Sequence, residues 1–156
     1  MDWLNLLVRK GDTLCRLSRA ERWLLLQALG LLPLVAISLK MAGLRRTQSL
    51  LSRFIPVTVK PSLGENLLLP ARTTARMVRV ATRYNLPWAN CLKKSLVLWW
   101  LLRCQGIECD LQIGVRHEQN KFEAHAWVEY DGIVLNDSQN VRSHFAMFER
   151  PIEVKV

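Results

Sequence analysis

The stretch from Asn90 to Gly106 reads as a helix whose two ends are both marked in the sequence, and the rest of the chain is organised around it. Asn90 is a residue type whose side chain accepts from an orphan backbone N–H of a first turn. Gly106 is the type expected in left-handed conformation just past a last turn. Cys91 therefore stands at the first helical position. A thiolate there meets the positive end of the helix dipole and unpaired N–H groups, and Lys93 and Lys94 add positive charge. The thiol is accordingly expected to ionise below the free value of about 8.5. A helix cysteine also serves as a small buried apolar side chain, and position alone does not separate the two uses. Cys91, Ser95, Leu98 or Trp99, and Leu102 share a face, so the thiol side continues into apolar packing.

Downstream, Phe122–Tyr130, then Asp131-Gly132, then Ile133–Asp137 read as a hairpin. His125 lies on its first strand and Asp137 at the end of its second. A cysteine at a helix start, then a histidine and an aspartate on successive strands, is the order of a thiol acyl-transfer triad in transglutaminase-like folds. The turn decides whether the pair can meet. A two-residue turn at Asp131-Gly132 would pair Asp137 with Ala126 and point it away from His125. A three-residue loop, Tyr130–Gly132 with Gly132 left-handed, sets His125 opposite Asp137 at about 5 Å between Cβ atoms, and this longer loop is expected. Under the same alternation Trp127 shares the His125 face, where it either walls the site or packs as core. Asp110–His117 alternates as a neighbouring strand, with residues 118–121 as its turn. His144 is a rival base in a loop entering a short helix around Phe145, and Ile152–Val156 alternates as a possible edge strand.

These residues resemble the transglutaminase-like leader peptidases of lasso-peptide biosynthesis. The matching stretches are Cys91-Leu92 with Ser95-Leu96, the helix end Leu101-Leu102-Arg103…Gly106-Ile107, Ile113-Gly114-Val115, and Ala124-His125-Ala126-Trp127-Val128-Glu129…Gly132…Asn136-Asp137. Together they span roughly residues 70 to 140. The resemblance implies an α+β fold, a transglutaminase-like and papain-like core with the cysteine helix packed on a small antiparallel sheet. It implies a cysteine protease with Cys91 as nucleophile, His125 as base and Asp137 as its orienting carboxylate. The substrate would be the leader region of a ribosomally made precursor. A separate leader-recognition protein would deliver it, and an asparagine-synthetase-like cyclase would close the ring afterwards. The same triad serves acyl transfer to an amine, and a non-catalytic module binding a membrane or partner is the reading furthest from catalysis.

Composition bears on where such chemistry would sit. The formal net charge is +9, but residues 1–90 carry fourteen basic against four acidic side chains while 91–156 carry eight against nine. The basic excess thus lies outside the expected catalytic part and argues for a docking surface. We divide the chain into a basic, apolar helical region, 1–60, and a transglutaminase-like cysteine protease domain, 61–156. Ser18-Arg19-Ala20-Glu21 reads as a capping box, Trp23–Leu39 as a nearly continuous apolar helix weakened by Pro33, and Gly43 as its close. That helix is near the lower limit for a membrane span, so burial against the protein, a partner or a membrane surface is favoured, and membrane association is not required. Leu44–Phe54 reads as a shorter helix, and 55–70, rich in proline, as a linker. From Pro70 a helix runs to Tyr84, carrying Arg72, Arg76, Arg79 and Arg83 as one stripe that could clamp carboxylates or face solvent. No aromatic interleaving accompanies it, so nucleic acid is not an expected partner. The spacing of Cys104, Cys109, His117 and His125 matches no common zinc pattern, so no metal or other cofactor is expected. Four scattered cysteines fit a reducing cytoplasm better than a disulfide framework.

Overall fold

A computed structural model describes residues 17–56, 66–84, 90–118 and 121–147. Three helices, α1 (Arg19–Arg53), α2 (Leu68–Tyr84) and α3 (Cys91–Cys104), precede the strands β1 (Asp110–Glu118), β2 (Lys121–Tyr130) and β3 (Ile133–Val134). A short helix, α4 (Val141–His144), and an edge strand, β4 (Ala146–Met147), follow. The sheet has the order β3-β2-β1-β4 with antiparallel pairing throughout, so the fold is α+β as expected.

The capping box at the start of α1 is complete. Ser18 Oγ accepts from the Glu21 N–H at 3.2 Å, and the Glu21 carboxylate accepts from the Ser18 N–H at 2.8 Å. The helix continues through Pro33 and breaks at Gly43, whose φ of 75° and ψ of 176° lie in a region essentially reserved for glycine. Beyond the break the chain folds back, because Ser38 and Thr47 share a hydrogen bond of 2.9 Å between their hydroxyls. Along a straight helix those residues would stand about 13 Å apart. Trp100 then donates from Nε1 to the Leu51 carbonyl at 2.8 Å, pinning the returning arm to α3.

Leu25, Ala28, Leu32 and Val35 of α1 enter the same apolar cluster as Ala75 and Val78 of α2, Leu98 and Leu102 of α3, and Leu111 and Val128 of the sheet. The division drawn at residue 60 therefore does not separate two cores. Residues 68–70, read above as linker, already belong to α2, and 57–65 lie outside the described residues. On α2 the four arginines share an exposed face, as the spacing requires, but Arg76 is taken up by an ion pair with Glu21.

α3 ends as its sequence says. Gly106 has φ 74°, the Ile107 N–H donates to the Leu102 carbonyl at 3.0 Å, and the Gly106 N–H donates to that of Arg103 at 3.0 Å. These are the two bonds of a Schellman motif. The hairpin turn departs from expectation. Tyr130 pairs with Ile133 and Glu129 with Val134, so the turn has two residues, Asp131 and Gly132, with φ of 47° and 74°. Two successive positive φ values at Asp-Gly give the primed turn whose twist suits a hairpin, and this local preference prevails over the longer loop. The tail strand expected at 152–156 lies outside the described residues, and β4 pairs with Gly114 and Val115.

Gly43→Ala should lower the thermal midpoint by about 2–12 °C, since a non-glycine residue there carries about 1–3 kcal/mol of backbone strain. No atom crowds the position, so an unchanged midpoint in a thermal melt would mean the break tolerates other backbone angles.

Candidate active site

Cys91 opens α3 beside Asn90, which is extended at ψ 173° and accepts from the Lys93 N–H at 3.2 Å. The thiol is half-buried. One turn further along the same face, Ser95 is fully buried, and its hydroxyl cannot remain there without partners. It donates to the Ala126 carbonyl at 2.9 Å and accepts from Asn136 Nδ2 at 2.9 Å. Ala126 follows His125 in β2, and Asn136 precedes Asp137. One hydroxyl thus ties the cysteine helix to the two segments that carry the histidine and the aspartate. Side chains four apart on a helix lie about 5–6 Å apart at Cβ, so Cys91 stands about one turn from this clamp.

His125 Nε2 and Asp137 Oδ2 are in direct contact. In the tautomer that donates from Nε2 to the carboxylate, Nδ1 is the ring nitrogen with a lone pair to offer. Asp137 is fixed in turn by the Ser138 N–H, which donates to Oδ1 at 2.7 Å. The pair meets despite the two-residue turn because the ladder stops at Val134. Leu135 still donates from its N–H to the Val128 carbonyl at 2.9 Å, but the Val128 N–H donates to the Asn136 side chain at 2.8 Å. Gln139 closes around Val134, accepting from its N–H at 3.2 Å and donating to its carbonyl at 2.7 Å. With side-chain amides replacing backbone partners, the chain bends, and Asp137 is freed from the face that strict alternation would impose.

The imidazole rests on an aromatic shelf. Phe145 stacks on it at 5.0 Å between centroids, and Trp127 lies at 6.2 Å. Trp127 is completely buried and packs with Val134 and Val141, so of its two readings, site wall or core, this structure has it packed as core. Gly114, opposite His125 in the β1–β2 register, makes room for the shelf. A Cβ there would stand 2.8 Å from Phe145 Cβ and 2.9 Å from the Trp127 ring. Trp127 Nε1 donates to Glu129 Oε1 at 2.6 Å, and Arg142 grips both Glu129 oxygens, with Nε donating at 2.7 Å. Burial acts to raise the Glu129 pKa, but the bonds from Arg142 and Trp127, with the Arg142 charge, outweigh it and hold the carboxyl below its ordinary value.

The remaining candidates fall elsewhere. His144 is exposed on α4, with Nδ1 against the Asn140 carbonyl at 2.7 Å. Burial pushes the Cys104 thiol up to about 11 and the Cys109 thiol up to about 12, so both stay protonated at neutral pH. The arginine stripe sits on α2. Sequence reasoning placed Ser95 on the thiol face without giving its hydroxyl a partner, and it did not single out Glu129 and Arg142. A lone hydroxyl on the apolar side of a buried helix was the available signal for the first. The second pair is thirteen residues apart and spans a bend, which no periodicity encodes.

Cys91 thus begins the helix that Ser95 and Asn136 tie to the segments carrying the His125–Asp137 pair. A family model described as the transglutaminase-like superfamily matches residues 31–150, and the chain belongs to that superfamily. It is also 33% identical over 86 residues to the Microcin J25-processing protein McjB of Escherichia coli, across 55% of this chain and 39% of that protein. The match therefore spans about two fifths of that relative's length. No solved structure matches the chain.

Arg142→Met should cost about 1–3 kcal/mol at neutral pH, because it strands a carboxylate that is 5% exposed. Glu129 is held low in the folded state, so its pairing stabilises above the ordinary value of 4.5 and fades as pH falls through the lowered one. Thermal melts across a pH series should show the gap between wild type and variant widest at neutral pH and shrinking as pH falls below 4.5.

Proposed function

We propose that this chain is a cysteine protease that cleaves the leader from a ribosomally made lasso-peptide precursor. It acts in the cytoplasm with a separate leader-recognition protein and ahead of a macrolactam-forming cyclase. The observation that carries the reading is the His125–Asp137 contact, docked through Ser95 and Asn136 onto the helix that Cys91 begins. Membership of the transglutaminase-like superfamily supports the chemistry, and the similarity to a protein named for processing microcin J25 supports the substrate class.

In the proposed cycle His125 Nδ1 takes the Cys91 proton, and the thiolate sulfur bonds to the scissile carbonyl carbon. The oxyanion that forms is met by the Cys91 backbone N–H, a first-turn donor with no partner within the helix. The C–N bond then breaks, His125 passes its proton to the departing nitrogen, and the leader remains as a thioester on Cys91. Water, deprotonated by His125, attacks the thioester carbon. The C–S bond breaks, His125 returns its proton to the Cys91 sulfur, the leader leaves with a carboxylate, and the core peptide keeps the free amine that a cyclase would join. Asp137 holds Nε2–H throughout, so Nδ1 keeps facing the reaction.

The arginine stripe belongs to leader capture in this reading, as the docking face for an acidic segment of the leader or its carrier. With Arg76 paired to Glu21, the side chains assigned to that role are Arg72, Arg79 and Arg83.

Cys91→Ala should abolish cleavage of a cognate precursor, and Asp137→Asn should lower kcat about 10²- to 10⁴-fold with little change in KM. Mass spectrometry of the products decides the case: cleavage by the Cys91→Ala protein would end the protease reading, and a leader recovered as an amide of an added amine would assign acyl transfer. Replacing Arg72, Arg79 and Arg83 by Gln should raise KM roughly 3- to 150-fold at low salt, from about 0.2–1 kcal/mol for each of three exposed contacts. Wild type should approach the variant at high salt, and labelling of Cys91 by a small electrophile should not change. Equal KM for both proteins at both salt concentrations would make the stripe a solvated face.

A further inference from the structure

α1 is apolar on both sides, and among the described residues the fold covers one of them. Leu25, Ala28, Leu32 and Val35 face the core. On the opposite side Trp23, Leu26, Leu34, Ile37 and Met41 stand between 57% and 83% exposed. Their spacing of three, eight, three and four residues keeps them in one stripe along the helix. From Trp23 to Leu39 there is no charged residue, which makes the uncharged stretch about 25 Å long. A helix that is apolar all round calls for burial all round, and a contiguous exposed apolar surface of this kind marks an interaction face.

The charges around the stripe identify what covers it. Exposed Arg19 and Arg22 lie at one end, and exposed Lys40, Arg45 and Arg46 at the other. Over residues 17–56 the only acidic side chain is Glu21, and it is paired with Arg76. A second copy packed antiparallel on this face would set one basic end against the other, an arrangement that like charges oppose. An anionic lipid surface meets both requirements, taking the apolar side chains into its acyl boundary and the basic ends among its headgroups. Trp23, beside Arg22, is the residue type that favours such an interface. By length and composition alone α1 could cross a bilayer. Crossing would pull Leu25, Ala28, Leu32 and Val35 out of the core, so the helix lies on the surface with the protein body acting as its polar side.

We infer that the outer face of α1 docks this protein on anionic membranes, independently of the chemistry proposed for Cys91. Ile37 also borders a cleft next to the start of α3, lined by Leu39, Lys40, Leu44 and Leu92. The test therefore uses Leu26 and Leu34, which leave that cleft intact. Vesicles of phosphatidylcholine alone, and of phosphatidylcholine with one quarter phosphatidylglycerol, are sedimented with the full chain at low and high salt. The expected result is at least tenfold more protein bound to the anionic vesicles at low salt, most of it released at high salt. The Leu26→Gln/Leu34→Gln protein should lose at least tenfold in binding while keeping the wild-type melting midpoint and Cys91 labelling. Binding that is absent, or equal for the two vesicle types, or unchanged in the double variant overturns the inference. So does light scattering that shows a dimer which the double variant disperses, since the covering surface would then be a second copy.

Discussion

The Ser95 hydroxyl is the point through which helix and sheet are held in one arrangement. It is a polar group carried into an apolar interior, where an unpaired hydroxyl would cost about 1–3 kcal/mol. The two partners that remove this cost, the Ala126 carbonyl and the Asn136 amide, stand 31 and 41 residues further along the chain. Satisfying one hydrogen-bonding group therefore fixes three relative positions together. Asn136 has its own second obligation, accepting from Val128, so the requirement passes from helix to bend to strand without an unpaired member among these groups. A network closed in this way favours one geometry over its neighbours more strongly than its separate bonds suggest.

What could be read from the sequence was whatever short-range chemistry decides. The Ser18 capping box, the Asn90 cap, the Gly43 break and the Gly106 stop each depend on a side chain or a φ value within a turn of itself, and each is found where its residues put it. The positions of β1 and β2 follow from alternation, whereas β3 stops at Val134 and β4 lies where a short helix around Phe145 was expected. The hairpin register is set instead by Asp131-Gly132, whose strong local preference for a two-residue turn prevails over the longer loop that would set His125 opposite Asp137. The two residues meet all the same, through a bend stabilised by Asn136 and Gln139 that alternation cannot represent. Trp127 was ambiguous for a similar reason: sharing a face with His125 is visible in the pattern, while lying beneath it depends on the space left by Gly114.

The N-terminal half shows how charge and packing can point in different directions. Its basic excess made it look like a separate region, yet its apolar residues are part of the core that supports α3. A helix that backs the cysteine helix on one side and presents an uncovered face on the other joins two tasks in a single element. The superfamily match begins at residue 31, inside α1 and well before Cys91.

From Leu135 to Phe145 the chain returns to the hairpin every one to three residues. Asn136 goes back to Val128, Asp137 to His125, Gln139 to Val134, Arg142 to Glu129, and Phe145 to the imidazole. Each contact has its own chemistry, so a substitution disturbs one and leaves the others standing. A change of length is different, because one residue gained or lost would put every later contact out of phase with its partner. This segment is thus a ruler as much as a loop: its length, more than any one of its side chains, keeps the site in register.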